Sequence, residues 1–398
     1  MHRYLKILAI AGAALALAPR PSPAQLPHLM PPGSNWLDVN YPKVFWTPRD
    51  GVTGGAYLAF VRQLDFENSD SPAPYGAVVS MDGQLSTGGS RQLVLETRLP
   101  AFVHNWRFAV TAEAVRRAHD NYYGVGNDAV YDEHLVNDAQ PEFYQARATR
   151  LVLRTEAQRI IVAHFRALAG FQTERWKLAP PEGPSQLRLD SAAGVDPTIG
   201  QMVDDITLRF GLVFDSRDDE VAANSGILAY ATHAIAKASI AGDLDYTRTT
   251  AAIQAYRQVT ENLVLTGRFM GQGMGGTPRT GSYYLVDVPE RPYFGIGGAM
   301  SHRAMFDNRL LGRNKLQLNL DARYHIINLP RTARLTLVGF LDTGRVFEGE
   351  SFKLTTKGLK TGGGLGLFFQ LARAGIVGMN AGYGPNGAVL DFATRWTY

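Results

Sequence analysis

The sequence contains no cysteine among its 398 residues. This absence excludes disulfides, thiol chemistry and cysteine metal sites. Long apolar runs are also missing: the closest candidate for a membrane-spanning helix, Gly226–Gly242, is interrupted by His233 and Lys237, and such a helix needs about 20 apolar residues. The net charge of +4 comes from scattered arginines and not from one clustered patch. The sequence therefore predicts no nucleic-acid partner.

One short apolar stretch is present at the N-terminus. Met1–Ala24 begins with basic residues, continues through an apolar segment from Ile7 to Ala18, and ends with small residues. This is the pattern of a cleavable secretory signal peptide. We therefore expect a signal peptide at residues 1–24, a short Pro-rich periplasmic segment at 25–40 and a single membrane domain at 41–398.

From residue 41 onward the chain consists of alternating segments separated by turns rich in Gly, Asp, Asn and Pro, a pattern typical of an all-β meander. In Ile206–Asp215 every second residue from Ile206 is apolar, and Arg209 belongs to the opposite set. In Leu316–Ile326 the opposite set contains Asp321 and Arg323. A soluble sheet also alternates, but a charged second face fits a water-filled lumen behind a lipid-facing surface.

We count sixteen such strands, from Tyr41–Pro48 to Ala388–Tyr398. An even number is what a barrel with both termini in the periplasm requires. The longest connection, Gly275–Asn314, separates strands 11 and 12, and loops of that length are usually functional or disordered. The sequence thus predicts an all-β, 16-stranded antiparallel transmembrane β-barrel of the bacterial outer membrane, with a long inward-folding loop between strands 11 and 12.

The last predicted strand ends on an aromatic residue. Leu390, Phe392, Trp396 and Tyr398 fall on one face of that strand by alternation. The pattern looks like the signal by which the assembly machinery recognises outer-membrane barrels. We therefore expect Phe392, Trp396 and Tyr398 to form a C-terminal barrel signal, with the barrel assembly machinery as a partner during biogenesis and outer-membrane lipid around the barrel. The alternative is an ordinary edge strand of a soluble sheet.

Several motifs along the chain resemble those of one family. The long loop contains Gly297 and Gly298 followed by Arg303; the other matches are Phe214–Asp218, Phe340–Gly344 and Tyr122–Asn127. In this order they resemble the BamA/TamA superfamily of outer-membrane insertases and translocons, the bacterial surface antigen type, over the whole predicted barrel. The resemblance implies a sixth extracellular loop that tucks into the lumen through its Gly-Gly…Arg motif.

The family's loop arginine docks against acidic residues on the two strands that follow the loop. Alternation places Asp321 on the inward face of the first of these strands and Asp342 on the inward face of the second. The resemblance therefore implies that Arg303 pairs with Asp321 and Asp342 through charge-assisted forked hydrogen bonds. The alternative is that these three side chains are separate solvated charges in the lumen.

Two features depart from the family pattern. Ala304 and Met305 stand where the family has Gly and an aromatic residue, and alanine resists the positive φ that glycine allows. The residues between Ala24 and Tyr41 are too few for a periplasmic POTRA domain. We therefore expect a member without POTRA domains, which leaves room for a periplasmic partner protein.

No pattern in the sequence predicts an enzyme. The histidines are dispersed without metal-ligand spacing, and Asp215 and Asp218 flank a turn beside Arg217 that reads as a salt-bridged turn. We expect no catalytic residue, metal site or cofactor. The leading hypothesis is a barrel for protein or lipid translocation or insertion at the outer membrane. The alternatives are a passive diffusion porin and a structural surface barrel.

Overall fold

The computed structural model describes residues 35–64, 71–329, 332–349, 352, 354–372 and 374–398. The predicted signal peptide and residues 25–34 of the predicted Pro-rich segment lie outside these ranges. No helix in the described ranges is long and apolar enough to cross a membrane. The described residues form mainly β-strands and the connections between them.

Sixteen strands form one antiparallel sheet in strict chain order, each paired with its neighbours in the sequence. Two further strands of two residues each form a separate hairpin inside the longest connection, which also contains a 3-10 turn. One short helix and a second 3-10 turn lie in other connections. The strands are β1 (Trp36–Thr47), β2 (Gly51–Arg62), β3 (Ala77–Ser86), β4 (Arg91–Val103), β5 (Trp106–Asn121), β6 (Gln145–Val162), β7 (Phe165–Ala179), β8 (Met202–Asp215), β9 (Gly226–Ala236), β10 (Tyr246–Thr260), β11 (Leu263–Gly276), β12 (Leu285–Val286), β13 (Tyr293–Phe294), β14 (Asn314–Leu329), β15 (Ala333–Phe347), β16 (Lys360–Leu371), β17 (Gly375–Gly384) and β18 (Gly387–Ala393); the helix is α1 (Gln186–Ala192), and the 3-10 turns are Glu133–Leu135 and Thr280–Tyr283.

The predicted all-β architecture of sixteen antiparallel strands is confirmed. The alternation is confirmed as well: on β8 the side chains of Leu208, Phe210 and Leu212 are exposed, whereas Arg209 is only 2% exposed. On β14 Asp321 is buried on the same inward face. The polar sets of successive strands therefore line an enclosed lumen, and the apolar sets form the outer surface of a barrel.

The connections differ in length between the two rims of the barrel. At one rim β4–β5, β6–β7 and β10–β11 are joined by turns of only two residues, 104–105, 163–164 and 261–262. At the other rim the longest connections are 122–144, 180–201 and 277–313. The connection that stood out in the sequence, hereafter the long loop (residues 277–313), belongs to this second rim.

The two outermost strands of the sheet are β1 and β18, and no ladder joins them within the described residues. The first strand begins at Trp36, earlier than the predicted Tyr41, because the ladder to β2 continues as far as the pair Trp36 and Arg62. The prediction that the last strand continues to Tyr398 is wrong. It ends at Ala393, after which the chain turns into the lumen.

Candidate functional site

The long loop folds back into the lumen. It begins with the 3-10 turn, continues through the hairpin β12–β13, and then makes a tight turn around Gly297 and Gly298. Ile296, His302 and Arg303 are each at most 1% exposed. The loop is therefore a packed element of the lumen, in agreement with the predicted inward-folding loop.

The Gly-Gly turn depends on backbone conformations that favour glycine. Gly297 has φ 125° and Gly298 has φ 93°. A Cβ on Gly297 would meet the carbonyl oxygen of Phe306, and one on Gly298 would meet the carboxylate of Asp307. The Ser301 hydroxyl closes the turn, accepting from the Gly297 amide at 2.8 Å and donating to its carbonyl oxygen at 3.0 Å. Both glycines therefore fit where other residues would be strained.

This turn presents Arg303 to the barrel wall. Its Nη2 donates to Asp321 Oδ1 at 2.6 Å and to Asp342 Oδ1 at 2.7 Å. Its Nε and its backbone amide donate to Asp342 Oδ2 at 2.9 and 2.8 Å. Burial alone would lower the pKa of the Arg303 guanidinium, but the two carboxylates raise it above its usual value. The structure thus brings these three residues, hereafter the ion-pair triad, together at distances of charge-assisted hydrogen bonds.

Neighbouring side chains complete the coordination of the triad. Asn319 donates to Asp342 Oδ1 at 2.7 Å and to the Ser301 carbonyl oxygen at 2.6 Å. Arg323 donates to Asp321 Oδ2 at 3.1 Å. The Arg303 guanidinium lies over the Phe340 ring at 4.1 Å. All four carboxylate oxygens of the triad thus accept hydrogen bonds, which a buried ion pair requires in order to be tolerated.

The hairpin β12–β13 makes a second anchor on other strands of the wall, which the sequence did not predict. Asp287 Oδ1 accepts from Arg154 Nη2 at 2.9 Å, and Asp287 Oδ2 accepts from Arg209 Nε at 3.1 Å. Arg248 lies 4.0 Å away. Burial would raise the pKa of the Asp287 carboxyl, but these cations lower it below its usual range. The arginines come from β6, β8 and β10, so the contact joins the loop to three strands.

Glu290 extends this anchor at the tip of the hairpin. Its Oε1 accepts from Arg107 Nη2 at 3.0 Å, and Arg107 also forms a two-bond pair with Glu220 at 2.8 Å per bond. Glu290 has φ 57°, in the left-handed region that few non-glycine residues adopt. Burial raises the pKa of its carboxyl, but Arg107 and Arg98 together lower that pKa to about 2. The tip is thus a charged contact held in a strained conformation.

The outer end of the long loop is covered by the connection 122–144. The Gly126 amide donates to the Leu311 carbonyl oxygen at 2.8 Å. Phe306 packs against the rings of Tyr123 and Tyr131, with centroids 6.2 and 5.4 Å away. The sequence motif Tyr122–Asn127 therefore belongs to the part of this connection that contacts the long loop.

A model of the Omp85 superfamily domain matches residues 76–381, more than half of the chain. The chain belongs to the Omp85 superfamily. The family resemblance inferred from the motifs is thereby confirmed. No curated protein matches the chain.

Two solved structures support the same fold for this Omp85 barrel. BamA from Haemophilus ducreyi lacking POTRA domains 1–3 is similar with a TM-score of 0.54 and 12% identity, over 90% of this chain and 68% of that one. CdiB from Escherichia coli is similar with a TM-score of 0.55 and 11% identity, over 89% of this chain and 61% of that one. The predicted outer-membrane location is confirmed, and the barrel is of the translocation or insertion type.

Membership also orients the barrel. Outer-membrane barrels have short periplasmic turns and longer extracellular loops. The rim with the connections 122–144, 180–201 and 277–313 is therefore extracellular, and the rim with two-residue turns is periplasmic. The long loop enters the lumen of this Omp85 barrel from the outside.

The departure at Ala304 and Met305 is accommodated without strain at the alanine. Ala304 is not among the residues with positive φ. It packs against glycines of β16 and β17: a Cβ on Gly362 would lie 2.5 Å from the Ala304 Cβ, and one on Gly382 would lie 2.8 Å from the Arg303 carbonyl oxygen. These glycines let the wall approach the loop tip. Met305 is buried in a cluster with Ile296, Leu310 and Val346.

The three residues predicted as a C-terminal signal are not on one face. Phe392 lies on β18 and is 68% exposed on the outer surface. Trp396 is buried, and its ring lies 4.3 Å from the Arg323 guanidinium. The Tyr398 ring lies 5.0 Å from the Arg268 guanidinium. Lumen arginines thus attract the two later aromatic rings inward. Their role in recognition by the assembly machinery stays a prediction.

The predicted salt-bridged turn after β8 is present. Asp215 accepts from Arg217 and from Arg166, both at 2.9 Å, and Asp218 accepts from the amide of Asn224 at 2.9 Å. Among the residues that the structure describes, no group of three or more His, Cys, Asp or Glu side chains is placed to hold a metal ion.

Proposed function

We propose that this Omp85 barrel translocates or inserts protein or lipid at the outer membrane, and that the long loop is a plug held in the lumen by the ion-pair triad. The observation that carries the proposal is the position of Arg303, buried between Asp321 and Asp342 with four hydrogen bonds to their carboxylates. Such a contact has two discrete states, docked and released, which a gated passage needs.

The two anchors support this proposal jointly. The triad fixes the loop tip to β14 and β15, and the Asp287–Glu290 hairpin fixes it to the arginines of β5, β6, β8 and β10. A lumen crossed by these buried contacts is a poor diffusion path. The passive porin alternative therefore has less support than a plugged barrel. The expected barrel assembly machinery and periplasmic partner remain predictions.

Planar-bilayer conductance tests the plug. We expect wild type to give a small, fluctuating conductance and Arg303→Ala to give a larger one, because release of the tip opens the lumen. Arg279→Ala is the matched control: it lies in the same loop, and its guanidinium has no carboxylate partner among the described residues. A large, steady pore that is the same in all three proteins would identify a diffusion porin.

Transport itself needs a second assay. Proteoliposomes that contain the barrel should accelerate membrane insertion of a urea-denatured outer-membrane barrel, or transbilayer movement of a labelled lipid, relative to empty liposomes. Failure with both substrates would reject the proposed activity even where conductance supports the plug.

A further inference from the structure

A cavity of about 180 Å³ lies in the periplasmic half of the lumen, beneath the hairpin β12–β13. Arg107 lies next to the short β4–β5 turn, and Glu220 lies in the turn between β8 and β9, so both mark the periplasmic end. The roof is formed by Val288–Arg291 and Met300 of the long loop, and one side by residues 395–398. The long loop, the barrel wall and the chain segment after β18 therefore all line this cavity.

The lining of this cavity is strongly cationic. Seven arginines line it, but only three side-chain carboxylates do. Four of the arginines have carboxylate partners: Arg107 pairs with Glu220 and Glu290, Arg166 and Arg217 pair with Asp215, and Arg98 pairs with Glu96. The three that remain are Arg268, Arg291 and Arg395.

The remaining three arginines have no carboxylate within ion-pair distance in the part of the chain that the structure describes. Arg268 is 2% exposed and donates only to neutral oxygens, those of Asn319, Thr397 and Met300, at 3.0, 3.0 and 3.1 Å. Arg395 Nε contacts the same Met300 through its sulfur at 3.3 Å. Met300 thus places these two guanidinium groups side by side.

Arg395 is surrounded by more cations than carboxylates. Burial and then the nearby cations Arg291 and Arg98 lower the pKa of the Arg395 guanidinium to about 9. Arg268 is buried, Arg395 is half-buried and Arg291 is exposed. A buried cation is costly unless an anion balances it. The side-chain carboxylates that line the cavity already bind Arg107, Arg166 and Arg217. Glu96, which partly offsets the charge of Arg395, is itself paired with Arg98.

We propose that the cavity is a binding site for a phosphate group, held by Arg268, Arg291 and Arg395. The planar guanidinium matches phosphate oxygens with two parallel hydrogen bonds. Because Arg291 belongs to the plug, Arg268 to β11 and Arg395 to the segment after β18, a bound phosphate joins three parts of the lumen. It would stabilise the docked hairpin from the periplasmic side. The phosphate reaches the site either as a free ion or as the headgroup of a phospholipid.

Equilibrium dialysis of the detergent-solubilised full chain against radiolabelled inorganic phosphate, with dihexanoyl phosphatidic acid as competitor, tests the site. We expect saturable binding by wild type that weakens by about tenfold or more in Arg395→Gln and in Arg291→Gln. Arg147→Gln, exposed and outside the cavity, should bind like wild type. Retained heat-modifiable gel mobility checks that each variant is folded.

The competitor distinguishes the two sources. Displacement of inorganic phosphate by phosphatidic acid supports a lipid headgroup, and no displacement supports the free ion. Two results would overturn the proposal: no saturable binding of phosphate by wild type, or binding that neither arginine substitution weakens. Both are separable from failure of the plug, which is measured by the response of conductance to Arg303→Ala.

Discussion

Removal of the Arg303 guanidinium is the most informative perturbation of the docked loop. Loss of one partner of a buried ion pair costs about 3–5 kcal/mol, because the opposite charge stays buried. Here Asp321 keeps Arg323 at 3.1 Å and Asp342 keeps Asn319 at 2.7 Å. We therefore take the lower end, about 3 kcal/mol, which corresponds to about 100-fold in the ratio of docked to released loop.

The absence of cysteine from the chain makes this ratio measurable. In a Ser301→Cys background the single thiol sits at a fully buried position of the Gly-Gly turn. If docking is fast relative to labelling, the rate of maleimide labelling follows the released fraction. We expect Arg303→Gln to raise that rate about 100-fold. Arg279→Gln, in the same loop, should change the labelling rate by less than about twofold, since substitutions away from buried contacts usually have small effects.

Equal labelling rates in Arg303→Gln and Arg279→Gln, with heat-modifiable mobility kept in both proteins, would contradict this prediction. That result would mean that the triad contributes little to docking and that other contacts, such as the Asp287 anchor, hold the loop.

Three further predictions concern the surroundings of the triad. In the same labelling assay Asp342→Asn should release the loop more than Asp321→Asn, because Asp342 accepts three of the four Arg303 hydrogen bonds; equal effects would contradict the geometry. The pKa of Glu290 is lowered from 4.5 to about 2, so its contribution to docking is complete above pH 4.5 and is lost as the pH falls toward 2. Pepsin cleavage within residues 285–294 of wild type should therefore rise as the pH is lowered from 4.5 to 2. The variant Glu290→Gln should show no such pH step. Gly382→Ala should weaken docking by about 1–3 kcal/mol, since its Cβ would lie 2.8 Å from the Arg303 carbonyl oxygen. The control Gly339→Ala, whose Cβ would have no atom within 4 Å, should leave docking unchanged. The labelling rate in the Ser301→Cys background distinguishes the two variants.

The fold could be predicted because the pattern that determines it is local. Each strand alternates on its own, so the face of a residue follows from counting within one segment: Leu208 is exposed and its neighbour Arg209 is buried. Asp321 and Asp342 could likewise be placed on the inward face from their own strands, and the family motif indicated their partner, Arg303. These predictions needed no knowledge of which distant residues meet.

The second anchor could not be predicted in this way. Asp287 and Glu290 lie in a loop without regular alternation, and their arginine partners come from β5, β6, β8 and β10. Only the path of the whole chain brings them together. The end of the chain was mispredicted for a related reason: alternation continues to Tyr398, but contacts of Trp396 and Tyr398 with Arg323 and Arg268 outweigh extension of the strand.

Hydrogen exchange of the wild-type protein in outer-membrane vesicles tests the central claim, a long loop docked in the lumen. The amides of Gly297, Gly298 and Arg303 donate to partners inside the barrel, so we predict that residues 296–310 exchange as slowly as strand β10. Exchange of these amides as fast as that of the exposed connection 237–245 would contradict the account.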